Sequence, residues 1–211
     1  GRFSTTVGIQ EADFGLRIYD HTSLLEDDLG FGTDRIDIGI HANADLGPVM
    51  LSGSVLNGAY PIPFRADASG ISAYTARMNI SPWDFVSAGV SAYHNGQDRG
   101  NSERTLFAGT LELRKGPISY SGEHLLGRWN QKLVRGYHNA LHVGLSRSLM
   151  LTSAFEFLDL DRDLSDSATY RGQLGLGYRL NKNISALATY SYRWNPEKDT
   201  DRLDIYLIGD Y

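Results

Sequence analysis

The feature that most constrains this chain is an alternation of apolar and polar residues that recurs along most of its length. Residues 36–46 read IDIGIHANADL, which places apolar side chains at every second position. A period of two residues is typical of a β-strand with one apolar face, whereas the apolar residues of an amphipathic helix recur about every 3.6 residues. The alternation predicts twelve strands, over residues 4–19, 36–46, 49–58, 70–80, 84–94, 105–115, 117–126, 137–146, 149–160, 168–180, 183–194 and 202–211. A phase slip at residues 10–13 predicts a β-bulge in the first strand.

The predicted connections alternate between short and long. Short turns are predicted at residues 47–48, 81–83, 116–117, 146–148 and 181–183, and longer polar loops near residues 20–33, 58–69, 95–104, 127–136, 161–167 and 195–201. An even number of antiparallel strands of about ten residues, with short turns at one end and long loops at the other, is the signature of a transmembrane barrel. We therefore predict an all-β fold, a twelve-stranded antiparallel transmembrane β-barrel with short periplasmic turns and longer extracellular loops. Residues 1–211 form one domain in this interpretation, with a soluble β-sandwich or β-barrel as the alternative.

Aromatic residues gather at the ends of the apolar face. Those predicted at the long-loop end are Phe107, Tyr137, Phe155, Phe157, Tyr170, Tyr192 and Trp194, and those at the short-turn end are Tyr178 and Tyr211. Two such belts are what the two interfaces of a bilayer select. The last predicted strand ends on Tyr211, which resembles the C-terminal insertion signal of bacterial outer-membrane proteins. The predicted location is therefore the bacterial outer membrane.

Composition excludes several other classes of protein. The net charge of -5, from 20 basic and 25 acidic residues, provides no basic surface for nucleic acid. The absence of cysteine excludes disulfides, thiol catalysis and cysteine-bound metals. Residues 159–163 begin like a calcium-binding loop, but Leu164 and Tyr170 stand where that loop needs glycine and glutamate. We predict neither a cofactor nor a metal site.

Four segments resemble the phosphate-selective porin O and P family. They are residues 8–16 (GIQEADFGL), 35–40 (RIDIGI), 45–48 (DLGP) and 55–58 (VLNG). The family is similar in that a Pro-Phe-Gly segment is followed by an Asp-Ile-Gly-Val strand, a short turn and a strand that ends in Phe-Asn-Gly. In this sequence Ala12-Asp13 stands in place of the proline. Its members are longer, sixteen-stranded trimers, so the resemblance implies a short or N-terminally truncated porin-like relative and a possible trimer. The family's basic lumen ladder is not found in this sequence.

The polar face of the predicted barrel supplies the candidate functional residues. Six basic and six acidic residues face inward by phase, a balance that predicts weak ion selectivity. Glu156 and Arg171 are predicted to form an ion pair across adjacent strands. Eight strands fill their own interior and sixteen leave a channel, so twelve strands allow either a narrow pore or a lumen plugged by side chains. The loop at residues 60–65 is a candidate inward constriction. The predicted lumen-lining residues are Asp37, His41, Arg77, Glu112, Arg114, Glu123, His142, Glu156, Arg171, Arg179, Arg193, Arg202 and Asp204.

The function that the sequence favours is passive diffusion of small hydrophilic solutes or ions, without catalysis. Expected partners are outer-membrane lipid and lipopolysaccharide, the solute, and further copies of the chain or another protein. One alternative is a lipid-processing enzyme, with His94, His124 and Thr105 meeting at the outer rim. The other is a structural barrel that sheaths or exports a partner.

Overall fold

The residues that the structure describes form one antiparallel sheet of twelve strands. The computed structural model describes residues 1–16, 24–27, 29, 36–57, 73–96, 103–164, 167–181, 184–195 and 199–209. The strands are β1 Arg2–Glu11, β2 Ile36–Asp45, β3 Val49–Leu56, β4 Ala73–Trp83, β5 Val86–Asn95, β6 Arg104–Lys115, β7 Ile118–Trp129, β8 Lys132–Gly144, β9 Leu149–Asp159, β10 Ala168–Arg179, β11 Ile184–Trp194 and β12 Thr200–Gly209. A single helical turn, α1 Leu24–Asp27, lies between β1 and β2.

The strands follow one another in the sheet in chain order, from β1 to β12, and each pairs antiparallel with its neighbour. This confirms the predicted all-β fold of twelve antiparallel strands. The register shifts between Ile80 and Trp83 of β4, where Pro82 has no backbone N–H to donate to the ladder. Within the described parts of the chain, no ladder joins β1 to β12.

The first strand is shorter than predicted. It ends at Glu11 instead of continuing to residue 19, and its pairing with β2 is unbroken from Arg2 opposite Asp45 to Glu11 opposite Ile36. The bulge predicted at residues 10–13 is therefore wrong. The phase slip marks the point where the chain leaves the sheet.

The loop predicted at residues 127–136 is also wrong. Strands β7 and β8 run through it and are joined by Asn130 and Gln131, whose φ angles of 54° and 66° give a tight hairpin turn. The segment is rich in charged residues, which suggested a loop. Where a strand extends beyond an apolar layer, its outward positions no longer need apolar residues, although its backbone pairing continues. A polar stretch of sequence therefore does not show where such a strand ends.

The two faces of the sheet are reversed relative to a water-soluble protein. Large apolar side chains on one face, which we call the apolar face, are exposed: Val7 is 73% exposed, Leu174 62% and Ile205 73%. The other face, the polar face, buries charged and hydroxyl side chains, with Glu156 1% exposed and Arg171 4%. Soluble proteins do not leave contiguous apolar surface of this extent in water. Among the described residues, no helix is long and apolar enough to cross a membrane.

The reversed faces predict opposite responses to a charge at neighbouring positions of β10. Leu174→Arg places a charge on the apolar face and is expected to reduce the free energy of folding into liposomes by about 2–4 kcal/mol. Gln173→Arg, one residue away on the polar face, is the matched control and is expected to cost much less. Denaturant titration of both variants in lipid vesicles measures the difference. Equal losses would contradict the assignment of the two faces.

Candidate functional site

A segment that follows β1 lies against the polar face. We call residues 12–16, 24–27 and 29 the inner segment. Its first anchor is Asp13, which accepts a hydrogen bond from Ser52 of β3 and pairs with Arg77 of β4 at 3.4 Å. Asp13 is 6% exposed. A buried carboxylate thus ties the start of the inner segment to two strands at once.

Backbone groups of the inner segment bond to side chains of strands farther along the sheet. The N–H of Gly15 donates to Ser91 Oγ of β5 at 3.1 Å, and the N–H of Leu16 donates to Glu123 Oε2 of β7 at 3.0 Å. The N–H of Leu24 donates to Glu156 Oε2 of β9 at 3.1 Å. Because strands from β3 to β9 reach one short segment, the sheet curls around it.

Gly15 is required where the inner segment meets Glu123. Its φ of +66° lies in the left-handed region, and a Cβ built on it would fall 2.5 Å from Glu123 Oε1. A side chain at this position would therefore strain the backbone and require the Glu123 carboxylate to shift.

An apolar cluster anchors the same segment. Leu24, Leu25 and Leu29 are 1%, 3% and 0% exposed, and Phe14 packs on Tyr93 of β5 with ring centroids 6.0 Å apart. The wall of the cluster consists of residues on the polar face near the long-loop ends of β3 to β9: Leu56, Ala73, Tyr93, Leu106, Ala108, Leu125, Val134 and Leu158. The interior is therefore narrowed by packed hydrocarbon at this end. The sequence signal for it was present in the apolar residues that break the polar face at these strand ends.

Charged residues cross the polar face in a row. Glu123, His138, Glu156, Arg171 and Arg193 are successive cross-strand partners on β7 to β11, and we call them the charged row. Glu156 lies at its centre and accepts hydrogen bonds from Arg171 Nη1 at 2.9 Å and at Oε1 from His138 Nδ1, also at 2.9 Å. The Glu156–Arg171 ion pair predicted from the register is present. The bond from His138 to Glu156 is not predicted from the sequence.

The other predicted lumen residues divide between paired and open positions. Arg202 and Asp204 form an ion pair at 2.7 Å, and His41 Nε2 lies 2.9 Å from Asn43 Oδ1. Asp37 is buried. Glu112, Arg114 and His142 line a cavity at the short-turn end of the sheet, and Arg179 is exposed at that end. The loop at residues 60–65 lies outside the described residues.

Aromatic side chains form a continuous ladder on the apolar face of β8 to β11. Tyr137 stacks on Phe157 at 5.0 Å, Phe157 contacts Tyr170 at 5.0 Å, and Tyr170 contacts Trp194 at 5.2 Å. Phe155 contacts Tyr137 at 5.7 Å and Tyr170 at 6.4 Å. Phe107, Tyr178 and Tyr192 are exposed on the same face, whereas Tyr211 lies outside the described residues.

Two of the three residues of the enzyme alternative come together, and His124 lies apart from them. His94 Nδ1 lies 3.0 Å from Thr105 Oγ1 on the apolar face, and the His94 ring stacks on Tyr74. Thr105 pairs with Arg128, and His124 lies four residues from Arg128 on β7, about 13 Å along the strand. Among the described residues, no group of three or more His, Asp or Glu is placed to hold a metal ion.

Neither a protein-family profile nor a curated protein matches the chain. Several solved structures match the chain. A trimer form of in-vitro folded OmpT, an outer membrane protein of Vibrio cholerae, matches with a TM-score of 0.70 at 12% identity, over 97% of this chain and 75% of that one. A porin matches with a TM-score of 0.70 at 12% identity, over 99% and 77% of the two chains. The anion-selective porin from Comamonas acidovorans matches with a TM-score of 0.69 at 12% identity, over 98% and 69%.

The chain has the fold of an outer-membrane porin barrel. The comparison agrees with the reversed faces and with the curl of the sheet around the inner segment. At this level of identity the likeness extends to the fold, and the phosphate-selective O and P family is not singled out.

Removing the central carboxylate of the charged row is expected to be costly. Glu156→Leu removes the carboxylate that accepts from Arg171 and His138 while both side chains stay buried, and should lower the free energy of unfolding by about 3–5 kcal/mol. The double variant Glu156→Leu with Arg171→Met removes both charges and should lose less than the single variant. Asp204→Asn is the control, because it breaks an ion pair whose arginine is exposed and should cost at most about 1 kcal/mol. Denaturant titration in lipid vesicles gives the values, and a double variant less stable than the single one would contradict this account of the row.

Proposed function

We propose that this protein is a passive pore for small hydrophilic solutes or ions in a bacterial outer membrane. The observation that carries the proposal is the reversal of the two faces: a contiguous apolar surface faces outward, and charged side chains line the inside of a curled sheet. Strands that cross a bilayer need an apolar outer surface, and a water-filled path needs a polar inner one. An enclosed pore also requires the outer edges of β1 and β12 to be hydrogen-bonded, because lipid offers them no partner.

The inner segment sets the width of the proposed pore. It lies against the polar face of strands from β3 to β9 through carboxylates and packed leucines, so solutes pass beside it and must be small. Both signs of charge flank this passage: Asp13 pairs with Arg77, Glu156 pairs with Arg171, and Glu123 lies opposite His138. This balance supports weak ion selectivity.

The resemblance to the phosphate-selective porin family supports a more specific proposal, that the pore prefers anions. Arg171 and Arg193 are cross-strand partners on β10 and β11 and form the basic end of the charged row. Glu156 neutralises Arg171 in place, so we propose weak selectivity and treat strong anion preference as the competing result.

We further propose that the apolar face contacts outer-membrane lipid, and lipopolysaccharide beside the aromatic ladder. Tyr137, Tyr170 and Trp194 have the amphipathic rings that favour a bilayer interface. Association of several copies, as a trimer, is proposed from the family resemblance and from the trimer form of OmpT. Chemical cross-linking of the protein in native membranes tests the trimer.

The two alternatives have less support in the structure. A lipid-processing enzyme needs His124 near the His94–Thr105 pair, and the register holds them apart. A barrel that sheaths a partner needs a free interior, and the inner segment of the same chain lies there. We propose no catalytic activity.

Single-channel recording in planar bilayers tests the proposed function. The purified protein is expected to give stable conductance steps and a small reversal potential under a salt gradient. A large reversal potential of the sign for anions would restore the phosphate-selective interpretation. A protein that is folded, as judged by heat-modifiable migration on gels, but gives no conductance would refute the pore.

The inner segment is expected to limit the conductance. Leu24→Ala with Leu25→Ala removes buried side chains whose loss costs about 2–5 kcal/mol each, so the segment should detach from the wall and the conductance should rise. Leu174→Ala with Leu176→Ala, on the apolar face, is the matched control and should leave the conductance unchanged. An unchanged conductance in the first variant would show that the constriction lies elsewhere.

A further inference from the structure

A polar cavity of about 360 Å³ opens on the polar face at the short-turn end of the sheet, away from the inner segment. Two cross-strand rows line it, together with Asp84 and Phe85 of the turn between β4 and β5. In one, Glu112 of β6 lies between Ser87 of β5 and Ser121 of β7. In the other, Ser119 of β7 lies between Arg114 of β6 and His142 of β8. We call this cavity the vestibule.

Three charged side chains, Asp84, Glu112 and Arg114, line the vestibule, and Glu112 and Arg114 do not neutralise each other. Glu112 and Arg114 are two residues apart on one face of β6, a separation of about 7 Å along the strand. Within the described residues neither one forms an ion pair. Arg202 and Asp204 have the same spacing on β12, and they pair at 2.7 Å. The spacing therefore permits an ion pair. In the vestibule, the carboxylate of Glu112 and the guanidinium of Arg114 are instead both available to bind a ligand.

The chemistry of these groups selects a ligand of one class. A guanidinium binds a carboxylate with two parallel hydrogen bonds, and a carboxylate binds an ammonium group by charge-assisted hydrogen bonds. An α-amino acid carries both groups one carbon apart. Hydroxyls of Ser87, Ser119 and Ser121 flank the charges and can donate to or accept from either end of such a molecule. The volume is within the range of small-molecule sites, roughly 300–1,000 Å³.

We propose that the vestibule binds small zwitterions of the α-amino acid class, with the ligand carboxylate on Arg114 and Ser119 and its ammonium on Glu112. The half-buried imidazole of His142 closes the carboxylate side. The inference rests on the proposed pore, because the vestibule is taken as part of the path that a solute follows through a water-filled interior. It deepens that proposal by naming the solute class that the pore retains at its short-turn end.

Ligand-observed NMR titration of the protein in detergent micelles tests the vestibule. Glutamine is the probe, and acetate and methylammonium, each carrying one of the two charges, are the comparisons. Glutamine is expected to bind more tightly than either. Glu112→Gln and Arg114→Gln should each weaken glutamine binding by about tenfold or more, because each removes a charge-assisted contact. Both side chains are exposed, so both variants should fold, which heat-modifiable migration verifies.

The matched control is the double variant Arg202→Gln with Asp204→Asn, which removes one charge of each sign from the same face and should leave glutamine binding unchanged. Acetate binding as tightly as glutamine would reduce the vestibule to an anion site and overturn the proposal. So would equal losses in the control, or no binding of glutamine at all. The titration does not depend on conduction: binding without conductance refutes only the pore, and conductance without binding refutes only the vestibule.

Discussion

Hydrogen bonds between neighbouring strands hold together a sheet whose two faces meet opposite surroundings. The ladder runs from β1 to β12 in chain order, so each backbone group in its interior has a partner that neither lipid nor water needs to supply. With the backbone satisfied in this way, the side chains of one face can be entirely apolar and exposed. Those of the other can be charged and enclosed. A slip of one residue in any strand would exchange the faces, so the register and the alternation depend on each other.

The inner segment depends on that enclosed polar face. A chain that leaves a strand and enters the interior brings unpaired backbone N–H groups with it, and burying them without acceptors is costly. Ser91, Glu123 and Glu156 accept from Gly15, Leu16 and Leu24. The carboxylates that line the proposed passage thus also bind the inner segment, which narrows the passage. The width and the charge of the proposed pore therefore depend on the same residues.

Prediction from sequence succeeded where the period of two was intact and failed where the surroundings changed. The strands from β9 to β11 were predicted within one residue of their bounds because lipid-facing and inward residues alternate along their length. The β7–β8 turn is not predicted from the sequence because those strands continue past the apolar layer, where Arg128 and Arg135 occupy apolar-face positions. The phase break at the end of β1 predicts a bulge from the sequence, because a strand that ends and a strand that shifts its register give the same break in phase.

The sequence by itself determined the fold class, the number of strands, the two faces and the ion pair between Glu156 and Arg171, because local alternation and antiparallel register specify each of them. Only the tertiary structure decided what fills the interior. The approach of residues 12–16 to β3 through β7 and the central place of Glu156 between His138, Arg171 and Leu24 join residues far apart in the chain. The open pair of Glu112 and Arg114 has the same spacing as the closed pair of Arg202 and Asp204. Spacing along a strand therefore does not decide whether two charges meet, because that depends on how the neighbouring strands place their side chains around them.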